Sequence, residues 1–372
     1  MKKGKTKAVK IKGKNKAKGK IKRNPTMKAK LKRKIKNNDS NQSIDLQNIP
    51  KIDLHCHLDG SLRETTVFEL LKDIEKYSNL TLGEVKSQLT PPADCSSLDD
   101  YLKSFELPIA IMQTKENLER VSFELFEDAA KENVKYLEVR FAPQNHKMNG
   151  LSYDDIIQSV IDGMRKAESK YDIKGNYILS CMRHLSSESA LEVIEEGVKF
   201  LENGVVATDL CGGEPLGFAS KFVEPMKIAK KLGYHITIHA GETGIGKNVT
   251  DAIEMLGAER IGHGIFITTD KEAYNLVKDK KIPLEICPTS NVQTHGVENY
   301  KEHPLYDFYK DGIDVTLNTD NRTVSNTTMT REIKESELAF NLKENEYRDI
   351  YLNSIEAAFL SKEEKDILRK KI

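Results

Sequence analysis

No apolar run in this 372-residue chain reaches the length needed to cross a bilayer. The basic N-terminus has no apolar segment after its charges, which argues against a secretory signal. Cysteine is sparse: five residues (56, 95, 181, 211, 287), an odd number without CxxC spacing. That excludes a disulfide scaffold and points to a reducing, cytoplasmic setting. No GxGxxG follows the first strand-like run, so the dinucleotide-binding fingerprint is missing. Acidic residues are absent from residues 1–38, which hold 18 of the 58 Lys and Arg. The other 40 basic residues face all 57 acidic ones, so the remainder carries −17 and the overall +1 is a cancellation.

Residues 1–45 therefore read as a separate basic tail, without aromatics. Self-repelling sequence of this kind cannot bury enough apolar area to offset its conformational entropy, and disorder is expected. Two uses are open: nonspecific contact with a polyanion through counterion release, or an incidental extension before a start at Met27. Residues 46–372 read as the folded domain.

The domain is organised around Ile52-Asp53-Leu54-His55-Cys56-His57-Leu58-Asp59-Gly60. Side chains alternate along a strand, so His55 and His57 share a face and Cys56 takes the other. Asp59-Gly60 ends the element. Two imidazoles at a strand end can hold one metal ion but need further ligands.

After this strand, Ser61-Leu62-Arg63-Glu64 has capping-box spacing and predicts a helix. Ser96-Ser97 precede a helical pattern at Leu98, Tyr101, Leu102 and Phe105, and another spans about 115–132. Roughly 75 residues thus separate the first two strands, which predicts a helical insertion over the strand ends. A regular alternation follows, with strands at 136–143, 176–182, 205–211, 234–239, 260–264, 282–287 and 313–319 and helical patterns between them. Charged helical pattern fills the last 60 residues. Eight strands alternating with helices predict an α/β fold, a (β/α)8 TIM barrel with extra helices after the first strand and at the C-terminus.

Polar residues gather at the ends of different strands, which favours a barrel over an open doubly wound sheet. They are His55 and His57 (first), Gly212 (fourth), His239 and Glu242 (fifth), His263 (sixth) and Asp320 (eighth). Nitrogen and carboxylate donors with room for a water suit Zn²⁺, with Fe²⁺, Co²⁺ and Mn²⁺ left open. Glu242, three residues beyond His239, is placed to exchange a proton with a substrate. His263, between two glycines, could orient or deprotonate the water. His235 reads as a packed histidine deeper on the same strand. His146, His184, His295 and His303 show no comparable partners.

The motifs IDLHCHLDG (52–60), DLCGGE (209–214), HAGE (239–242), GHG (262–264), CPTSN (287–291) and LNTDN (317–321) resemble the adenosine deaminase family of the amidohydrolase superfamily. They occur in the family's order, and Ala-Ala-Phe-Leu at 357–360 fits as well. The resemblance implies one zinc per chain, held by His55, His57, His239 and Asp320. It implies hydrolytic deamination of adenosine or 2′-deoxyadenosine, a step of purine salvage or catabolism. Glu242 maps onto the acid that protonates purine N1, and His263 onto the histidine that positions and helps deprotonate the water. Gly212 maps onto a backbone contact to purine N3, and His57 and Asp59 onto ribose contacts. Asp59 favours a nucleoside, because related adenine deaminases typically carry Glu there. Asn321 replaces an Asp that approaches purine N7 in the family; its amide can donate a hydrogen bond without being protonated. Gly213 also departs from the family's usual Asp. The alternatives are an adenine deaminase, a deaminase of modified adenine nucleosides, or a polyanion-binding protein on a degenerate barrel scaffold.

Overall fold

The computed structural model describes residues 44–91, 95 and 98–372, with the side chain of residue 99 left aside. The basic tail up to residue 43 and the expected Ser96-Ser97 helix start lie outside the described residues. Ile44 is already buried, and its N–H donates to Glu337 Oε1.

Eight strands pair in parallel and in chain order: β1 (Lys51–His57), β2 (Val134–Phe141), β3 (Lys174–Met182), β4 (Val205–Cys211), β5 (His235–Ala240), β6 (Arg260–His263), β7 (Leu284–Ile286) and β8 (Val315–Leu317). With helices between the strands this is the expected (β/α)8 TIM barrel. It closes where β8 returns to β1. His57 N–H donates to Asp320 O at 2.6 Å and Asp320 N–H to His55 O at 2.8 Å. One step earlier a side chain replaces a backbone acceptor, since Leu54 N–H donates to Asn318 Oδ1. β8 is shorter than the strand-like run 313–319.

Alternation works as expected in β5. Ile236 and Ile238 are fully buried toward the helix layer, while Thr237 turns inward and donates to Glu285 Oε1. His235 departs from its reading. It stands at the solvent-exposed start of β5, pairs with Glu259 and stacks on Phe359 at 4.4 Å. Phe359 in turn closes the N-terminal end of the barrel. The Arg260 guanidinium lies 3.8 Å from its ring centroid, and Phe359 N–H donates to Glu138 Oε1. The Ala357–Leu360 segment is thus a floor for the barrel, tied to two buried charges on β2 and β6.

The insertion between β1 and β2 contains α1 (Glu64–Leu71), α2 (Leu82–Leu89), α3 (Leu98–Leu102) and α4 (Glu106–Ile111), followed by the crossover helix α5 (Lys115–Lys131). Ser61 does not cap α1. The N-cap position is Arg63, without a side-chain cap, and Ser61 Oγ accepts from Arg322 N–H. Capping boxes instead start α2, at Thr81 and Glu84, and α6 (Tyr153–Glu168), at Ser152 and Asp155. The outer ring continues with α7 (Ser187–Gly197), α8 (Ala219–Leu232), α9 (Lys247–Glu254), α10 (Lys271–Lys280), α11 (Pro288–Gln293) and α12 (Leu305–Lys310). The C-terminal extra helices are α13 (Met329–Phe340), α14 (Glu344–Ala357) and α15 (Lys362–Arg369). Neither α2 nor α11 is evident from periodicity. No helix among the described residues is long and apolar enough to cross a membrane.

Candidate active site

At the C-terminal mouth of the barrel, His55, His57, His239 and Asp320 offer ligand atoms all within 4.8 Å of one another. His57 Nε2 lies 3.2 Å from His239 Nε2 and 3.3 Å from Asp320 Oδ1. His55 Nε2 is buried, 3.4 Å from Asp320 Oδ1, and has no hydrogen-bond partner among the described residues. A buried polar atom left in that state costs on the order of 1–3 kcal/mol. An ion shared by the four groups removes that cost, so the residues fit a metal on this structure's own evidence.

Carboxylates behind the imidazoles aim them. Glu285 Oε2 accepts from His55 Nδ1 at 2.8 Å, and Asp209 Oδ1 from His239 Nδ1 at 3.0 Å. Both hold the ring hydrogen on Nδ1 and leave the Nε2 lone pair facing the shared centre. Burial opposes the charge on Glu285, but Arg140 and Arg260 outweigh it and hold its carboxyl well below the usual range. Arg140 Nη2 donates to Glu285 at 2.7 Å, and Nη1 lies 3.5 Å from Asp209 Oδ2. Burial, then Arg140, lowers His55 to about 4, and burial keeps His57 well below its ordinary value. Neutral imidazoles are the form a metal requires. Burial opposes the charge on Asp320 as well, but the facing histidines, His55 foremost, hold its carboxyl well below the usual range.

The centre opens into a cavity of about 1050 Å³ lined by Asp59, Gly212, Glu242, His263 and Asn321 as well as three of the ligand residues. Two non-glycine site residues have left-handed backbone: His263 at φ 61° and Asp320 at φ 59°. Such conformations cost roughly 1–3 kcal/mol each and persist only where neighbours over-determine them. The two ladder bonds to β1 do so for Asp320.

Glu242 faces the cavity, its Oε1 3.7 Å from His263 Nε2. Burial raises its carboxyl above the ordinary range. Its backbone is clamped by Glu214, which accepts N–H bonds from Gly241 (2.7 Å), Glu242 (2.9 Å) and Thr243 (3.0 Å). Asp59 is buried, its carboxyl pushed up to about 7 by burial, and its Oδ1 has no hydrogen-bond partner among the described residues. Gly212 has φ 91°, where a side chain would strain the backbone, and Arg183 Nη1 donates to its carbonyl. Gly60 does more than end a strand. A Cβ there would fall 1.8 Å from Asn321 Oδ1, so the glycine makes room for Asn321 against the cavity wall.

The structure thus brings the expected site residues together at one barrel mouth, His55 buried behind the cavity and the others lining it. It adds residues that the sequence does not single out: Asp209, Glu285, Arg140 and Glu214 act through other residues, and Tyr101 on α3 lines the cavity. DLCGGE and HAGE contain Asp209, Glu214 and His239, but no spacing reveals who bonds whom. Of the histidines set aside, His184 and His295 line the cavity, His146 stacks on Phe141, and His303 bonds Asn291.

Comparison with known proteins agrees with this geometry. The family profile described as adenosine deaminase matches residues 50–372. A protein of Clostridium perfringens named adenosine deaminase is 57% identical over 327 residues, covering 88% of this chain and 98% of its own length. One from Clostridium botulinum with the same name is 54% identical over 332 residues, covering 88% and 99%. Among solved structures, an N6-methyl-AMP deaminase from Arabidopsis thaliana superposes with a TM-score of 0.78 at 30% identity, covering 87% of this chain and 96% of its own. An adenine deaminase from Arthrobacter aurescens reaches a TM-score of 0.80 at 24% identity, covering 87% and 98%, a likeness of fold alone. A match running from the first strand to the last residue, on a barrel whose strand ends carry these ligands, places the chain in the adenosine deaminase family.

Proposed function

We propose that this chain hydrolyses adenosine and 2′-deoxyadenosine to inosine and 2′-deoxyinosine, releasing ammonia, with one zinc ion held by His55, His57, His239 and Asp320. The observation that carries the reading is the convergence of those four residues with Glu242 and His263 on one cavity. It is supported by the name borne by the relatives at 57% and 54% identity.

When bound, zinc supplies Lewis acidity and lowers the pKa of water toward ~7. The chain's own residues do the rest. Burial lets Glu242 keep its proton at higher pH than an exposed glutamate. It can then donate that proton to purine N1 and so make C6 electrophilic. Water adds at C6 and the amino group departs as ammonia. Glu214 fixes the segment carrying Glu242 through three backbone N–H bonds, so the acid reaches one position. The Gly212 backbone and Asn321 line the cavity where the purine edge would lie, and His57 and Asp59 where the ribose would lie. Asp59 disfavours a 5′-phosphate, which would be buried beside a carboxyl that offers it no countercharge.

The test is metal content together with ultraviolet-monitored turnover of adenosine, 2′-deoxyadenosine, adenine and AMP by the purified full chain. Near-stoichiometric zinc and fastest turnover of the nucleosides are expected. Adenine or AMP turning over faster than adenosine would overturn the substrate assignment.

A further inference from the structure

His263 is not an isolated side chain. Its Nδ1 lies 3.0 Å from Asn291 Nδ2 on α11, the other end of that amide lies 3.1 Å from His303 Nε2, and His303 Nδ1 lies 3.1 Å from the backbone nitrogen of Leu305. All three side chains are buried, His263 at 1%, Asn291 at 0% and His303 at 3% exposure.

The direction of every bond in this row follows from its last member. A backbone N–H can only donate, so Leu305 N–H gives its hydrogen to His303 Nδ1. Burial lowers His303 to about 3, so its ring is neutral and its single hydrogen sits on Nε2. That hydrogen goes to Asn291 Oδ1, which leaves the amide nitrogen facing His263. An amide nitrogen donates and does not accept, so His263 Nδ1 is the acceptor.

We infer that Asn291 and His303 are positioning residues that fix the tautomer of His263, keeping its hydrogen on Nε2, the nitrogen turned toward Glu242 and the cavity. Two consequences follow for the deamination proposed above, on which the kinetic part of this inference rests. The neutral ring presents an N–H donor to an oxygen in the cavity. It has no lone pair on Nε2 with which to take a proton, and taking one on Nδ1 would break the bond from Asn291. Of the two roles the sequence left open for His263, orienting the water and deprotonating it, the row of bonds favours the first.

Nitrogen-15 spectra of histidine-labelled zinc-loaded protein read the tautomer directly, independently of turnover, with His263 assigned by its loss in His263→Ala. Wild type should show His263 with Nε2 protonated and Nδ1 bare. Asn291→Asp puts an acceptor opposite Nδ1 and should protonate that nitrogen. His303→Gln keeps a donor toward Asn291 and should preserve both the wild-type tautomer and kcat within about three-fold. His303→Leu removes that donor, frees the amide to turn over, and should lower kcat on the order of 10²-fold, the loss expected for one misdirected donor in an active site. KM and zinc content should stay near wild type. A wild-type signal with Nδ1 protonated overturns the inference even if adenosine turns over. Equal kcat losses in the Gln and Leu variants at an unchanged tautomer also overturn it, because the effect would then be packing. Failure to deaminate adenosine at all would defeat the substrate reading and leave the tautomer result standing.

Discussion

At the scale of single residues, the proposed reaction separates groups that would touch the substrate from groups that aim them. Glu242 belongs to the first kind. Gln has the same shape but cannot give up a proton, so Glu242→Gln should keep zinc and fold while kcat falls by at least about 10²-fold, the usual contribution of a positioned acid. Steady-state turnover beside metal analysis checks this, and full activity in the variant would remove Glu242 from its role. Asp209 belongs to the second kind. It receives the His239 Nδ1 hydrogen at 3.0 Å. Asp209→Asn should weaken zinc binding roughly 10–100-fold, the range for losing such a carboxylate, as measured by chelator competition. His55, His57 and Glu242 are legible from alternation and spacing. Asp209 and Glu285 are not, because each meets its histidine from a different strand.

At the scale of elements, the insertion after β1 forms part of the cavity wall. Tyr101 on α3 is buried, packs in a cluster with Cys95, Phe105 and Val324, and its hydroxyl lies 2.6 Å from Ser325 Oγ. It therefore ties the insertion to the chain just after β8. Tyr101→Ala deletes a buried aromatic, a change costing about 3–5 kcal/mol in a well-packed site. Hydrogen exchange should speed up over 98–111 and not in the barrel strands, and KM for adenosine should rise by more than kcat falls. An unchanged KM would mean that this wall does not hold substrate. The helical pattern here is readable from Leu98, Tyr101, Leu102 and Phe105, but its docking is not. The helix Pro288–Gln293, which carries Asn291, is hidden outright, because Val292 is its one aliphatic residue and a single residue shows no amphipathic period. The capping-box spacing at Ser61 shows the opposite failure. The residues were present, but tertiary contact with Arg322 claimed the hydroxyl.

At the scale of the whole molecule, buried carboxyls couple stability to pH. Glu332 at the start of α13 is fully buried, accepts from Thr289 N–H and the Thr327 hydroxyl, and is raised by burial to about 7. The unfolded chain releases this proton near 4.5 and the folded one near 7. The folded state therefore binds more protons between those values, and stability falls as pH rises through the interval. The stabilisation is fully present below 4.5 and lost above about 7, a change on the order of 3 kcal/mol. Glu332→Gln should lessen the fall in urea-unfolding stability between pH 5 and pH 8, while Asp59, also raised to about 7, keeps its share. An unaltered slope would place the proton elsewhere.

The amino-acid sequence by itself determined the barrel, its extra helices and the short list of residues at the strand ends. Those features follow from local periodicity and chain order, which are written in neighbouring residues. Only the tertiary structure decided how those residues are held. It aimed His55 and His239 through Glu285 and Asp209, clamped Glu242 through Glu214 and joined His263 to His303 through Asn291. Those bonds join residues far apart in the chain, and a hydrogen bond depends on distance and direction in space, for which spacing along the sequence carries no signal.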